Sequence, residues 1–109
     1  MKLTAVIPTL NEETDLPRTL KSLKFANEIL VIDSGSTDQT VTIAKKFGCK
    51  VLHHQFKNFA DTRNFADKNA TNNWILSLEA DVFVTNELAQ EISHLSETPS
   101  IYKIGRINI

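Results

Sequence analysis

An α/β fold with a mostly parallel sheet is the architecture that this sequence of 109 residues predicts. Short apolar segments rich in β-branched residues alternate with segments that place leucine, valine or alanine at helical spacing. The apolar segments are continuous, which is typical of strands buried on both faces of a sheet. Strand and helix follow each other along the whole chain, and parallel strands require crossover connections of this kind.

The first two strands and the helix between them have clear signals. Residues 2–8, KLTAVIP, form the first buried strand, and residues 28–33, EILVID, form the second. A helix is expected over roughly 13–23, capped by Asn11 and favoured by the acidic residues of its first turn. Pro17 is compatible with that helix only near its start.

A polar turn, SGSTD at residues 34–38, leads into the second helix. Ser36 or Thr37 is expected to cap this helix, which leaves the preceding Asp33 available for a ligand. Gly48 ends the helix, because glycine readily adopts the conformation that follows a helical C-terminus.

The remaining elements complete a β-α-β-α-β-α-β-α-β order in one folding unit. They are a strand at 49–54, a helix at about 60–70, a strand at 74–79, a helix at about 86–95 and a strand-like alternation at 100–109.

Composition limits the classes of function. The chain is 41% hydrophobic and 23% charged with a formal net charge of −1, which excludes the basic surface that nucleic-acid binding needs. No segment reaches the ~20 apolar residues of a membrane-spanning helix, and the apolar run before Pro8 is too short for a signal peptide. Cys49 is the single cysteine, so an internal disulfide is excluded and a reducing cytoplasm is the expected location.

Acidic side chains stand where the predicted strands end. Asp33 ends the second strand, and Glu79 and Asp81 follow the fourth. On an extended backbone Glu79 and Asp81 point to the same side while Ala80 points away. The carboxyl ends of parallel strands share one edge, and carboxylates brought together there repel each other unless a cation lies between them. A divalent cation with oxygen ligands, Mg²⁺ or Mn²⁺, is therefore expected.

Binding of a phosphate group requires positive charge or a loop of backbone N–H groups. Neither G-x-x-x-x-G-K-[ST] nor G-x-G-x-x-G occurs in the sequence, so a glycine-rich phosphate loop is excluded. A metal at Asp81 and a cationic side chain would carry the charge instead, and Arg63 in FADTRNFA is the best candidate for that side chain. An ordinary role for Arg63 as a surface residue of a helix stays open.

Four motifs together resemble one known family. AVIPTLNEE, ILVIDSGSTDQT, FADTRNFA and WILSLEAD occur in the order and spacing of family 2 glycosyltransferases of the GT-A fold. The combination is most similar to the bacterial lipopolysaccharide-core glucosyltransferases, and it covers about residues 3–90. The resemblance implies metal-dependent, inverting transfer of a hexose from a nucleotide-diphospho-sugar to a glycan or glycolipid of the bacterial envelope. Such an enzyme works in the cytoplasm, with peripheral association at the inner face of the membrane as an option.

The resemblance also implies roles for individual residues in binding the nucleotide. Asp33 resembles the acid that holds the base, and Arg63 resembles the basic residue that meets the base or the diphosphate. The segment after the first strand would line the nucleotide pocket, with Glu12 near the ribose or base, through Pro8, Thr9, Asn11 and Glu12.

The metal motif D-x-D of the family corresponds to Glu79-Ala80-Asp81. Asp81 would bind the metal that bridges the diphosphate of the donor, and Glu79 would contact the ribose or a metal-bound water. The metal would act as a Lewis acid that stabilises the departing nucleoside diphosphate. Glu79 departs from the pattern, since it is one methylene longer than the usual aspartate.

Length is the second departure from the family. The family's general base and acceptor site follow the metal motif, whereas this sequence stops at Ile109, so we expect one partial GT-A domain at residues 1–109 that is the donor-binding half. The catalytic residue stays unknown and is expected beyond Ile109. Little or no transfer is expected from these residues alone, and an exposed sheet edge would favour homo-oligomers.

Two other classes of protein were weighed. A flavodoxin-like receiver needs paired acids after the first strand and an aspartate after the third, but Pro8-Thr9 and His53-His54 occupy those places. A catalytically incomplete nucleotide-sugar-binding or interaction module stays open. Whether the natural reading frame continues for ~100 or more residues past Ile109 would discriminate this module from an enzyme.

Overall fold

The computed structural model describes residues 2–96 and 105–108. Nine elements follow one another in these residues: β1 Leu3–Thr9, α1 Leu16–Lys21, β2 Glu28–Asp33, α2 Thr40–Lys46, β3 Lys50–His53, α3 Phe59–Asn69, β4 Trp74–Ser77, α4 Asn86–Ser96 and β5 Gly105–Asn108. The predicted order of strands and helices is confirmed. Within the described residues no helix has the length and apolar character that crossing a bilayer requires.

The five strands form one sheet in the order β3-β2-β1-β4-β5, and every neighbouring pair is parallel. The chain moves outward from β1 to β3 and then returns to place β4 on the other side of β1. The direction of the connections therefore switches between β1 and β4. Ligands of open parallel sheets bind in the crevice beyond the carboxyl ends of the strands at such a point.

Helices cover both faces of the sheet, as continuous apolar strands require. Alternation along β1 sends Leu3, Ala5 and Ile7 to the face that α1, α2 and α4 cover, where they join the larger buried cluster. Val6 faces the other way and packs with Ala66 of α3 in a smaller cluster. These two layers fix the carboxyl ends of β1, β2 and β4 side by side.

The predicted start of the first helix is wrong. α1 begins at Leu16, and its N-cap is Asp15, whose side chain makes no capping bond. Pro17 lies in the first turn as expected, where its lack of an N–H costs nothing. Asn11 caps no helix: its backbone has a φ of 55°, in the left-handed region that asparagine tolerates better than most residues.

The second helix also starts later than its sequence signals indicate. α2 begins at Thr40, after the N-cap Gln39, so neither Ser36 nor Thr37 caps it. Asp38 supplies the local contact instead, because its carboxylate accepts from the Thr40 N–H at 2.9 Å and from the Thr40 hydroxyl. Downstream, the predicted end at Gly48 is confirmed by the left-handed φ of 81° at this residue.

The fourth and fifth strands differ in extent from the prediction. β4 ends at Ser77, two residues before Glu79, so the metal motif lies on a loop and not on a strand. β5 pairs in parallel with β4 over Gly105–Asn108. The rest of the predicted strand, residues 100–104 and 109, lies outside the described residues.

Candidate functional site at the carboxyl edge of the sheet

The loops after β1 and β2 are joined by hydrogen bonds between side chains and backbone. The Asn11 N–H donates to the Ser36 hydroxyl at 2.8 Å, and the Thr37 N–H donates to the Asn11 side-chain oxygen at 2.8 Å. The Glu12 N–H donates to the Thr40 hydroxyl, also at 2.8 Å. Asn11 is therefore a cross-link between two loops, which is a use that its position before a helix did not suggest.

Asp33 lies beneath these loops, and its residue is only 1% exposed. Its Oδ1 accepts from the hydroxyls of Thr9 at 2.7 Å and Ser36 at 2.6 Å, and its Oδ2 accepts from the N–H groups of Gly35 at 3.1 Å and Ser36 at 2.8 Å. Burial opposes its ionisation, but these hydrogen bonds together outweigh burial and lower the pKa of Asp33.

The expectation that Ser36 or Thr37 would free Asp33 by capping the next helix is thus wrong. A carboxylate has about four acceptor positions, and the turn fills them at Asp33. Any direct contact between a ligand and the Asp33 side chain has to replace one of those bonds. Asp33 is placed to shape the turn that a ligand would meet.

Glu79 and Asp81 are presented by a tight turn after β4. The Val82 N–H donates to the Glu79 carbonyl at 3.1 Å, which closes the turn around Ala80 and Asp81. Ala80 is 3% exposed, whereas Glu79 and Asp81 are exposed to solvent. The predicted extended backbone at these residues is wrong, since β4 ends at Ser77 and the two acids flank buried Ala80 on a turn.

Five carboxylates surround this edge, and we call them the acidic rim: Glu12, Asp15, Asp38, Glu79 and Asp81. Burial raises the pKa of Glu12, and the negative charges of Asp81, Asp15, Asp38 and Glu79 raise it further. These groups come from the loops after β1, β2 and β4, so segments distant in sequence do meet, but the loop after β2 contributes Asp38 and not the predicted Asp33. Their repulsion is the electrostatic feature that a bound cation would relieve.

The acidic rim suits a metal that takes few ligands from protein. In the part of the chain that the structure describes, no group of three His, Cys, Asp or Glu side chains is arranged to hold a metal. Mg²⁺ in particular commonly uses one or two carboxylates and completes its shell with water and substrate phosphates. Exposed Asp81, close enough to Glu12 to raise its pKa, fits that kind of ligand set.

Arg63 and Pro8 lie apart from this hydrogen-bonded network. Arg63 is exposed on α3, and its side chain makes no hydrogen bond or ion pair with the other described residues. Pro8 is the one exposed residue among the described positions of β1, so the end of that strand is open on one side. The structure thus connects Thr9, Asn11 and Asp33 and groups Glu12 with Glu79 and Asp81. It gives the Arg63 side chain no polar contact within the part of the chain that is described.

A cleft of about 660 Å³ lies at the opposite end of the strands. Lys2, Lys24 and Lys50 line it, together with Glu28. None of the residues of the acidic rim borders this cleft. These three lysines therefore lie too far away to neutralise a diphosphate at the rim.

One contributor to the site has no motif of its own in the sequence. Thr19 of α1 is 0% exposed and its hydroxyl donates to the Ala80 carbonyl at 2.7 Å. Leu16 and Leu20 of the helix, and Leu23 just after it, are buried around this residue. A polar residue inside such an apolar face was the available signal, because buried hydroxyl groups are normally hydrogen-bonded.

Comparison with protein families and curated proteins bears on this geometry. The family model for Glycosyl transferase family 2 matches residues 4–108. An uncharacterized glycosyltransferase of Rickettsia conorii is 38% identical over 95 residues, which cover 86% of this chain and 34% of the relative. Lipopolysaccharide core biosynthesis glycosyltransferase LpsC of Rhizobium meliloti is 27% identical over 100 residues, which cover 87% of this chain and 37% of LpsC. This chain spans about a third of the length of these relatives.

A solved structure with a similar fold contains both a metal and a nucleotide. It is glucosyl-3-phosphoglycerate synthase from Mycobacterium tuberculosis in complex with Mn²⁺, uridine diphosphate and glucosyl-3-phosphoglycerate, with a TM-score of 0.58 and 26% identity. The similarity covers 72% of this chain and 33% of the synthase chain. The GT-A fold class expected from the sequence is confirmed.

Proposed function

Because this chain belongs to glycosyl transferase family 2, we propose that its acidic rim and the loops beside it bind a nucleotide-diphospho-sugar together with Mn²⁺ or Mg²⁺. The observation that carries this proposal is the convergence of Asp81 and Glu79 on Glu12, whose pKa their charges raise. Carboxylates that repel each other at the topological switch point of a parallel sheet favour a divalent cation. A cation there would attract the diphosphate of a donor.

The proposed metal ligand is Asp81. Its carboxylate is exposed on the turn, and Glu79 on the same turn would contact the ribose or a metal-bound water. The metal supplies Lewis-acid stabilisation of the diphosphate when it is bound. The Mn²⁺ and uridine diphosphate in the mycobacterial synthase support this choice of ligands. Ala80, which lies between the two acids, anchors the turn in the core.

The nucleotide would lie over the ends of β1 and β2. Pro8 is exposed there, and the loop containing Asn11 and Glu12 is held by the turn that Asp33 organises. We assign Thr9 and Asp33 to the pocket as the residues that keep this turn in shape. Arg63, which is exposed on α3 and whose side chain has no partner among the described residues, would meet the base or the diphosphate.

The whole protein is proposed to transfer a hexose to a glycan or lipid-linked acceptor of the bacterial envelope, acting in the cytoplasm or at the inner face of the membrane. The similarity to LpsC supports an acceptor in lipopolysaccharide core biosynthesis. The second candidate is a nucleotide-sugar-binding or interaction module without transferase activity, with self-association through the sheet edge.

Isothermal titration calorimetry tests donor binding by the 109-residue chain. UDP, GDP and dTDP are each titrated with and without Mn²⁺. We expect one of them to bind with Mn²⁺ at least tenfold more tightly than without it, and we expect Asp81→Ala to abolish that difference. Glu91→Ala, which removes an exposed carboxylate of α4 outside the rim, is the matched control and should bind like the wild type. Equal binding by the wild type and Asp81→Ala would contradict the proposal.

A further inference from the structure

The turn that presents Asp81 is attached to helix α1 by three side chains, which we call the α1 clasp: Arg18, Thr19 and Ser22. The Thr19 hydroxyl donates to the Ala80 carbonyl at 2.7 Å in a buried contact. The Ser22 hydroxyl donates to the Thr19 carbonyl at 2.6 Å and accepts from the Val84 N–H at 2.9 Å. The bonds from Thr19 to Ala80 and from Val84 to Ser22 join residues more than sixty positions apart.

Arg18 completes the α1 clasp on its solvent side. Its guanidinium donates to the Asp81 backbone carbonyl at 3.3 Å and lies 4.7 Å from the centre of the Phe83 ring. The Asp15 carboxylate is 3.8 Å from the same nitrogen. Both the arginine and Asp15 are about half exposed, so solvent weakens these contacts, and the buried bond of Thr19 is the stronger attachment.

We propose that Thr19 is a positioning residue for the metal: by holding the Ala80 carbonyl, it fixes the direction in which the next residue, Asp81, presents its carboxylate. This inference rests on the proposed function of Asp81 as metal ligand. Ala80 and Asp81 are the two central residues of the turn closed between Glu79 and Val82. A rotation of the Ala80 peptide therefore redirects the Asp81 side chain.

Loss of the Thr19 hydrogen bond would leave the Ala80 carbonyl buried without a donor, which is unfavourable. Thr19 is fully buried and Ala80 is 3% exposed, so water cannot replace the hydroxyl without disturbing the packing around α1. A buried carbonyl that loses its donor seeks another conformation in which it is paired. Metal coordination depends on orientation within tenths of an ångström, so a small reorientation of this turn reduces metal affinity more than it reduces nucleotide affinity.

The test compares Thr19→Val with Thr19→Ser and with Thr62→Val. Valine has nearly the shape of threonine but cannot donate, whereas serine can. Thr62 is a matched control because it is also buried, at 7% exposure, and its hydroxyl has no hydrogen-bond partner among the described residues. UDP is titrated with and without Mn²⁺ into each variant.

We expect Thr19→Val to weaken Mn²⁺-supported binding of UDP about tenfold, the effect of losing one hydrogen bond to a buried carbonyl. Binding of UDP without metal should stay within twofold of the wild type, and Thr19→Ser and Thr62→Val should bind normally in both conditions. A merely structural role of Thr19 would weaken both kinds of binding equally. Equal loss, or no loss, in Thr19→Val would overturn the inference.

Amide hydrogen exchange separates this inference from the proposed function, because it needs no nucleotide. In Thr19→Val the N–H groups of Val82 and Val84 should exchange at least tenfold faster than in the wild type, while Thr62→Val leaves them unchanged. Unchanged exchange in Thr19→Val would overturn the inference even if UDP binds. A third outcome combines faster exchange in Thr19→Val with a wild-type chain that binds no nucleoside diphosphate in the presence of Mn²⁺. It would overturn the proposed function, and with it the role of Thr19 toward the metal.

Discussion

Removal of the Asp33 carboxylate should destabilise the chain by an amount that the structure allows to be worked out. In Asp33→Ala the buried Thr9 hydroxyl and the half-buried Ser36 N–H lose their acceptor, at about 1–3 kcal/mol each. Gly35 is exposed, so its N–H can bond to water and adds little. We therefore expect the free energy of unfolding to fall by about 3 kcal/mol.

A milder substitution at the same site separates charge from hydrogen bonding. In Asp33→Asn the amide oxygen can still accept from the two N–H groups, and both hydroxyls can rotate to accept from the amide nitrogen. The remaining loss is that of the charge-assisted character of the four bonds, about 1 kcal/mol in total. Urea unfolding at pH 7 measures both variants, with Glu91→Gln on exposed α4 as the control that should match the wild type.

The stability difference between the wild type and Asp33→Asn should depend on pH, and the pKa of Asp33 fixes the direction of that dependence. The pKa of Asp33 is lower in the folded chain than its ordinary value of 3.8, so its ionised form stabilises the folded state above that pH. The advantage of the wild type over Asp33→Asn should be constant at neutral pH and shrink as the pH falls below 3.8 through the lowered pKa. An Asp33→Ala variant as stable as the wild type, or a difference from Asp33→Asn that grows in acid, would refute the reasoning.

Two further predictions concern groups whose pKa is raised. Glu12→Gln should increase the free energy of unfolding by about 0.5 kcal/mol at neutral pH, because burial and the neighbouring carboxylates disfavour the ionised side chain. In urea unfolding the gain should vanish below the ordinary pKa of 4.5, because glutamate is then protonated in both the folded and the unfolded state. A loss of stability at neutral pH would contradict this. Burial raises the pKa of the Cys49 thiol to about 11. A thiol reagent at pH 8 should therefore react at least tenfold more slowly with the folded chain than with the chain in urea. Equal rates would contradict the burial of this thiol.

Most of the fold could be predicted because its signals are local and repeated. The continuous apolar strands and the helices between them specified a parallel sheet, and Gly48 ended α2 where its conformational freedom indicated. The starts of α1 and α2 could not be predicted in the same way. Asn11 and Ser36 have the side chains of helix caps, but their partners lie across the sheet edge, in loops twenty-five residues away.

Part of the candidate site could likewise be predicted from the sequence, and part could not. Glu79 and Asp81 could be predicted at this edge, since a parallel sheet places the ends of its strands together, whereas Asp15 and Asp38 of the rim were not predicted as site residues. The state of Asp33 could not be predicted, because its burial depends on how the turn at Gly35 and Ser36 closes over it. The role of Thr19 could not be predicted for a related reason, because its partner, the Ala80 carbonyl, is a backbone group without any sequence signature.

Electron paramagnetic resonance of Mn²⁺ tests the central claim most directly, since it counts the free ion. We predict that the 109-residue chain removes free Mn²⁺ from solution much more effectively when UDP, GDP or dTDP is present, and that Asp81→Ala loses this effect while Glu91→Ala keeps it. Free Mn²⁺ that responds to the nucleotide in the same way with the wild type and with Asp81→Ala would contradict the assignment of the acidic rim as the site of a metal-bound diphosphate.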